Sequence, residues 1–303
     1  MRNIIKYRYL YFAISLVVIL PGLAALIAWG LPTGIDFSGG SYLEVHVDNT
    51  LPSTDSVLAL LSEQGFTDAK IQTSGSDRLI IRSKAMDEGT LTQFLAEFET
   101  RFNTTVELDR FETVGPTIGK EVAQRAAGAV GLAAVGILAY ITYAFRRVKN
   151  AFRYGVAAIV AMLHDVVVVL GMEAIFGHFL GWEADSLFLT ALLTVIGFSV
   201  HDSIVVFDRI RENERLQRKQ PYETVVNLSI VQTFARSINT QLTVMFTLLS
   251  LVLFGGSTIR HFVLILLIGV FSGTYSSIFN ASPILVVWEN KEWRTWFKRT
   301  ATS

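Results

Sequence analysis

The sequence predicts an α-helical polytopic membrane protein of six spans, with an inserted α+β domain of ferredoxin-like order between the first two. Three observations predict it. Hydrophobic residues make up 51% of the 303 and charged residues only 17%, which is too apolar for one water-soluble core of that length. Apolar runs recur at residues 10–29, 119–145, 152–176, 186–207, 237–254 and 262–288, and a helix needs roughly 20 such residues to cross ~30 Å of hydrocarbon. Between residues 31 and 118 the pattern changes to short alternating strands and amphipathic helices, as in a domain bathed in water.

The first run carries Arg2, Lys6 and Arg8 on its flank. Its length exceeds the ~7–15 apolar residues usual in a cleaved signal peptide, so it reads as a retained anchor despite the small residues around Trp29. Positive charge belongs to the cytoplasmic side of short loops. The clusters Arg146, Arg147, Lys149, Arg153, then Arg209, Arg211, Arg215, Arg218, Lys219, then Lys291, Arg294, Lys298, Arg299 fall on the side of the N-terminus. The other loops hold Glu183 and Asp185, or Gly255, Gly256 and a lone Arg260. The expected organisation is therefore a first transmembrane helix with a cytoplasmic N-terminus (1–30), an extracytoplasmic domain (31–118), helices two to six (119–290) and a basic cytoplasmic tail (291–303).

Within the inserted segment, residues 41–48 alternate like a strand, and Thr54 is placed to cap a helix carrying Val57, Leu60 and Leu61. Residues 69–73 and 79–82 read as strands around the turn Ser74-Gly75-Ser76-Asp77. Asp87 opens a second helix with Leu91, Phe94, Leu95 and Phe98 at helical spacing, and residues 104–109 form a last strand. The order β-α-β-β-α-β is ferredoxin-like. Its Asp, Glu and Ser residues form no catalytic cluster and read as a solvated face.

Net charge is zero, with 26 basic and 26 acidic residues, so nothing points to nucleic acid. The absence of cysteine excludes disulfides, thiolate metal sites and cysteine catalysis. The informative residues are the ionisable ones at membrane depth, where charge costs several kcal/mol. The third run carries His164 and Asp165, and the fourth carries His201 and Asp202 between Ser199 and Ser203. Asp202 stands roughly 9 Å inward of Asp208 at 1.5 Å per residue, too deep for a short side chain to reach water. Asp165, roughly 18 Å along its helix from Arg153, reads as a structural hydrogen-bonding group. Arg236 enters the fifth run, and Asn239, Thr240, Thr243 and Thr247 follow it on one face. Gly269, Gly273, Ser277 and Ala281 recur every fourth residue in the sixth run, a small-residue ridge suited to close backbone packing. Ser272, Ser276 and Asn280 lie beside it. Six helices offer too little interior for all these faces, so some are expected to meet another membrane protein.

Three stretches carry a resemblance: residues 34–40 (GIDFSGG), 114–116 (VGP) and 195–213 (VIGFSVHDSIVVFDRIREN). Together with 161–165 (AMLHD) and 253–256 (LFGG), they make the chain similar to the SecF members of the SecD/SecF family of protein-export membrane proteins. The resemblance implies half of an RND-type transporter in the bacterial inner membrane that pairs with SecD to give twelve spans beside the SecYEG channel. It further implies use of the proton motive force to draw a translocating preprotein outward. YajC and YidC are further partners of this kind, and no cofactor, metal or enzymatic activity is implied. The family's proton-relay aspartate falls on Asp202 and its arginine on Arg236. His201, Ser203, Asn239, Thr240, His164 and Asp165 are the supporting polar groups. His201 stands where the family commonly has Asn, which adds a second titratable group beside Asp202.

Three rival readings remain at this point. An RND-type small-molecule exporter half would need a substrate cleft in a larger outer domain. An intramembrane aspartyl protease would need Asp165 and Asp202 as a dyad sharing one proton. A passive assembly factor would tolerate loss of the intramembrane charges.

Overall fold

The computed structural model describes residues 3–48, 50–148 and 150–294. Arg2, Lys149, Lys298 and Arg299 lie outside the described residues. Among the described residues six helices are long and apolar enough to cross a membrane: Ile5–Trp29, Pro116–Ala144, Phe152–Leu180, Ser186–Leu216, Tyr222–Phe254 and Ile259–Glu289. The fourth and fifth extend well beyond the apolar runs at the end where they are joined. There Asn213 donates to Ser229 Oγ at 2.9 Å and to Gln232 at 2.8 Å. These side-chain bonds hold polar helical turns together outside the hydrophobic stretch, which hydropathy alone does not mark.

The chain forms two compact units, one of them Thr33–Gly128 together with Glu183–Asp185. In this unit a four-stranded antiparallel sheet has the order β2-β3-β1-β4, with β1 Gly40–Val47, β2 Lys70–Ser74, β3 Arg78–Ser83 and β4 Val106–Val114. That order, with helices Thr54–Glu63 and Glu88–Phe102 between strands, is the ferredoxin-like arrangement expected. Leu43, Val45, Leu79 and Ile81 of the sheet pack against Val57, Leu60, Leu61, Phe94 and Phe98 of the helices in one core. Ser53, not Thr54, caps the first helix, its side chain accepting from the Ser56 N–H. Asp87 caps the second, accepting from the Thr90 N–H at 2.8 Å. The loop 183–185 joins this unit although it lies far along the sequence: the Gly34 N–H donates to the Ala184 carbonyl at 2.8 Å, and Arg82 Nε is 3.0 Å from Glu183.

The other unit is a helical bundle. Its first and third spans touch backbone to backbone at Gly22 and Gly171, where a Cβ on Gly22 would come within 2.9 Å of the Gly171 Cα. In the sixth span, a Cβ on Gly273 would meet the Ser199 Cα at 3.2 Å, and Gly269 leaves room for Val195. The small-residue ridge therefore meets the fourth span of its own chain. Small residues are needed here because the two helices cross at this point. Residues Ser277–Ala281 form a π-helical turn within the sixth span, an irregularity that periodicity does not reveal. The second span is exposed along most of its length, with Leu132, Val135, Tyr140 and Tyr143 each more than 60% accessible.

Candidate functional site

Asp165 and Asp202 both lie inside the bundle, and each has its own partners. Asp165 on the third span is fully buried. Its Oδ2 accepts from Ser199 Oγ and Ser276 Oγ, and its Oδ1 from Ser272 Oγ, all at 2.6 Å. The His164 Nδ1 adds a contact of 3.0 Å to Oδ1. Three spans thus converge on one carboxylate whose lone pairs are all engaged, as a buried charge requires. The polar thread continues inward: Ser277 Oγ donates to the Ser199 carbonyl at 3.0 Å, and Ser203 Oγ donates to Ser277 Oγ at 3.1 Å.

Asp202, next to Ser203 on the fourth span, is 3% exposed. The amide of Gln241, on the fifth span, donates to its Oδ2. No direct bond joins Asp165 and Asp202 among the described residues, so the shared-proton dyad of an aspartyl protease is not formed. Nor does Arg236 meet Asp202 directly. The guanidinium is exposed on the fifth span, and Asn239, Thr240, Thr243 and Thr247 are exposed with it. The geometric reason is helical phase. Arg236 and Gln241 are five residues apart and stand roughly 140° apart around the axis. Turning Gln241 toward Asp202 turns Arg236 away.

The buried face of the fifth span runs Ser229, Thr233, Ser237, Gln241 at intervals of four. This signal is present in the sequence and was obscured by the polar stripe led by Arg236. The Gln241 Oε1 and the Ser237 Oγ are buried there without hydrogen-bond partners among the described residues. His201 is exposed on the fourth span, turned away from the face that carries Ser203. Ser277 and Ala281 are buried in the π-helical turn.

Comparison with known proteins decides the family. The description "Protein export membrane protein SecD/SecF, C-terminal" matches residues 94–291. The chain belongs to the SecD/SecF family. A protein translocase subunit SecF of Anaerolinea thermophila is 56% identical over 303 residues, covering 99% of this chain and 98% of that one. Another, from Thermobaculum terrenum, is 48% identical with the same two coverages of 99% and 98%. Among solved structures, the translocon-associated membrane protein SecDF of Thermus thermophilus superposes with a TM-score of 0.80 at 35% identity, covering 95% of this chain and 39% of its own. For a SecD/SecF family member, the polar groups inside the bundle are the chemically distinctive feature: hydroxyls, amides and carboxylates on contiguous helices can hold and pass protons, and among the described residues no group of three or more metal-ligating side chains is present.

Proposed function

We propose that this chain acts as a proton-driven accessory subunit of the Sec protein-export machinery. With SecD it forms a twelve-span unit beside SecYEG that promotes translocation and release of preprotein on the extracytoplasmic side. Its termini are cytoplasmic, in the bacterial inner membrane, and residues 31–118 are extracytoplasmic. YajC and YidC are further partners in this reading. The pairing with SecD is supported by the SecDF chain of Thermus thermophilus, of which this chain matches 37% of the length, leaving a segment long enough for a second set of spans.

The observation that carries the proton role is Asp202: a carboxylate buried in an apolar span, held by one neutral amide. Ionised, it makes no ion pair among the described residues; protonated, it is compatible with its surroundings. A proton falling through ~150 mV releases ~3.5 kcal/mol, enough to move a two-state element from about 5:95 to 95:5. Arg236 contributes in this account from the exposed polar stripe, at the face that SecD covers. Asp165, with every lone pair engaged, joins the third, fourth and sixth spans into one rigid block against which the fifth can shift. The test is preprotein release from membrane vesicles with and without a proton gradient, in the presence and absence of this chain. Gradient-dependent release that needs the chain supports the reading, and release that is indifferent to the chain contradicts it.

A further inference from the structure

The third span carries another buried carboxylate, which the account of Asp202 leaves unused. Glu173 is fully buried, eight residues and roughly 12 Å further along the helix than Asp165. Its Oε2 lies 2.8 Å from Nε2 of His261, in the first turn of the sixth span. Its Oε1 is buried and has no hydrogen-bond partner among the described residues. The His261 side chain remains 20% exposed and lies against the Trp182 ring, with centroids 4.5 Å apart. Alternation of the spans puts this end of the bundle on the same side of the membrane as the inserted domain.

Directly after Trp182 the chain carries Glu183, which pairs with Arg82 at 3.0 Å, and Asp185. His178, further along the third span, stacks on Trp29 at 4.0 Å, and Arg260 is exposed. The first span from residue 9 to 29, the fourth from 186 to 200 and the fifth from 237 to 254 contain no Asp, Glu, Lys, Arg or His. An apolar pocket tolerates this pair when it is neutral overall, with one proton shared between Oε2 and Nε2. A second proton, delivered by hydronium from the adjoining water to the free Oε1, leaves one uncompensated positive charge in that pocket. Buried charge of that kind costs several kcal/mol, and the partly exposed imidazole can relieve it by turning into water.

We propose that Glu173 and His261 form a proton-binding site at the domain-side end of the bundle, and that uptake of a second proton releases the first turn of the sixth span from the third. The site goes beyond the reading of Asp202 and is tested apart from it, without any export assay. The chain has no cysteine, so Val263→Cys, at a position 2% exposed, is a unique reporter beside His261. The full-length protein in vesicles is treated from the domain side with a membrane-impermeant thiol reagent, and rates are divided by those of a free thiol at the same pH. Corrected labelling should be at least about tenfold faster near pH 5 than near pH 8, the range across which an imidazole gains its charge. Glu173→Gln and, separately, His261→Gln should each abolish that ratio. If one variant fails to insert, the other decides. Equal corrected rates at the two pH values, or a ratio that survives in the variants that insert, overturns the proposal.

Discussion

Asp165 and Asp202 are the same residue type, both buried in the bundle, and their neighbours make them different chemical objects. Asp165 is fixed by three serine hydroxyls and a histidine, so removing it leaves buried donors unpaired. Asp165→Ala should cost about 3 kcal/mol or more, read as a fall in the thermal unfolding temperature of the purified protein. Asp165→Asn should cost less, because the amide still accepts on one side. Arg236 makes the opposite case: exposed on the bundle, it should tolerate Arg236→Ala within ±0.5 kcal/mol of stability while export falls. Equal losses in both measurements would mean that Arg236 is a structural residue. In the inserted domain, the Thr90 backbone N–H holds the Asp87 carboxyl below its ordinary range, and Arg101 does the same for Glu63. Both then bind protons less readily folded than unfolded. The stability they contribute is present above the ordinary carboxylate range and is lost as pH falls through their lowered folded values. Hydrogen exchange in residues 88–102, corrected for intrinsic rates, should accordingly accelerate between about pH 5 and about pH 3, and Asp87→Ala should flatten that response. The depth of Asp165 and Asp202 was legible in the sequence because charges in apolar runs stand out. Their partners were not, because serine and glutamine are common in such helices, and only the azimuth of each helix decides which of them face inward.

Elements show where periodicity suffices and where it fails. The two helices of the inserted domain were legible because apolar residues at helical spacing and acidic or hydroxyl caps agree. Strand β4 runs five residues past its predicted end because its exposed residues, Glu107 to Arg110 and Glu112, hide the backbone pairing with β1 that defines it. The π-helical turn at Ser277–Ala281 adds a residue to one turn of the sixth span and shifts its phase, which a regular helical wheel cannot anticipate. Close packing gives a sharp test of the helix contacts. Gly171→Leu should displace the first span from the third, since even a Cβ there would lie 2.5 Å from the Gly22 Cα. Gly273→Leu should part the fourth and sixth spans by the same logic, lowering the unfolding temperature of this chain even without a partner. Gly197→Ala, where an added Cβ meets nothing within 4 Å, is the control that should stay folded.

At the scale of the whole molecule, six apolar helices and an inserted sheet domain were predictable, because the lipid requirement for long apolar runs and the alternation of a half-buried sheet are both written in composition and spacing. What spacing could not give is that the loop 183–185 belongs to the same compact unit as residues 33–128, since that contact is made between distant segments. Nor could it say that the fifth span turns Arg236 outward. The central claim is that Asp202 couples the proton gradient to export. It is tested most directly by Asp202→Asn in the complete complex, measured as preprotein release from vesicles with the gradient imposed and collapsed. The amide preserves shape and can still hydrogen-bond Gln241, so insertion and association with SecD should match the unsubstituted protein. The account predicts that release in the variant no longer responds to the gradient and stays at the rate seen with the gradient collapsed. A wild-type increase in release on imposing the gradient would contradict it.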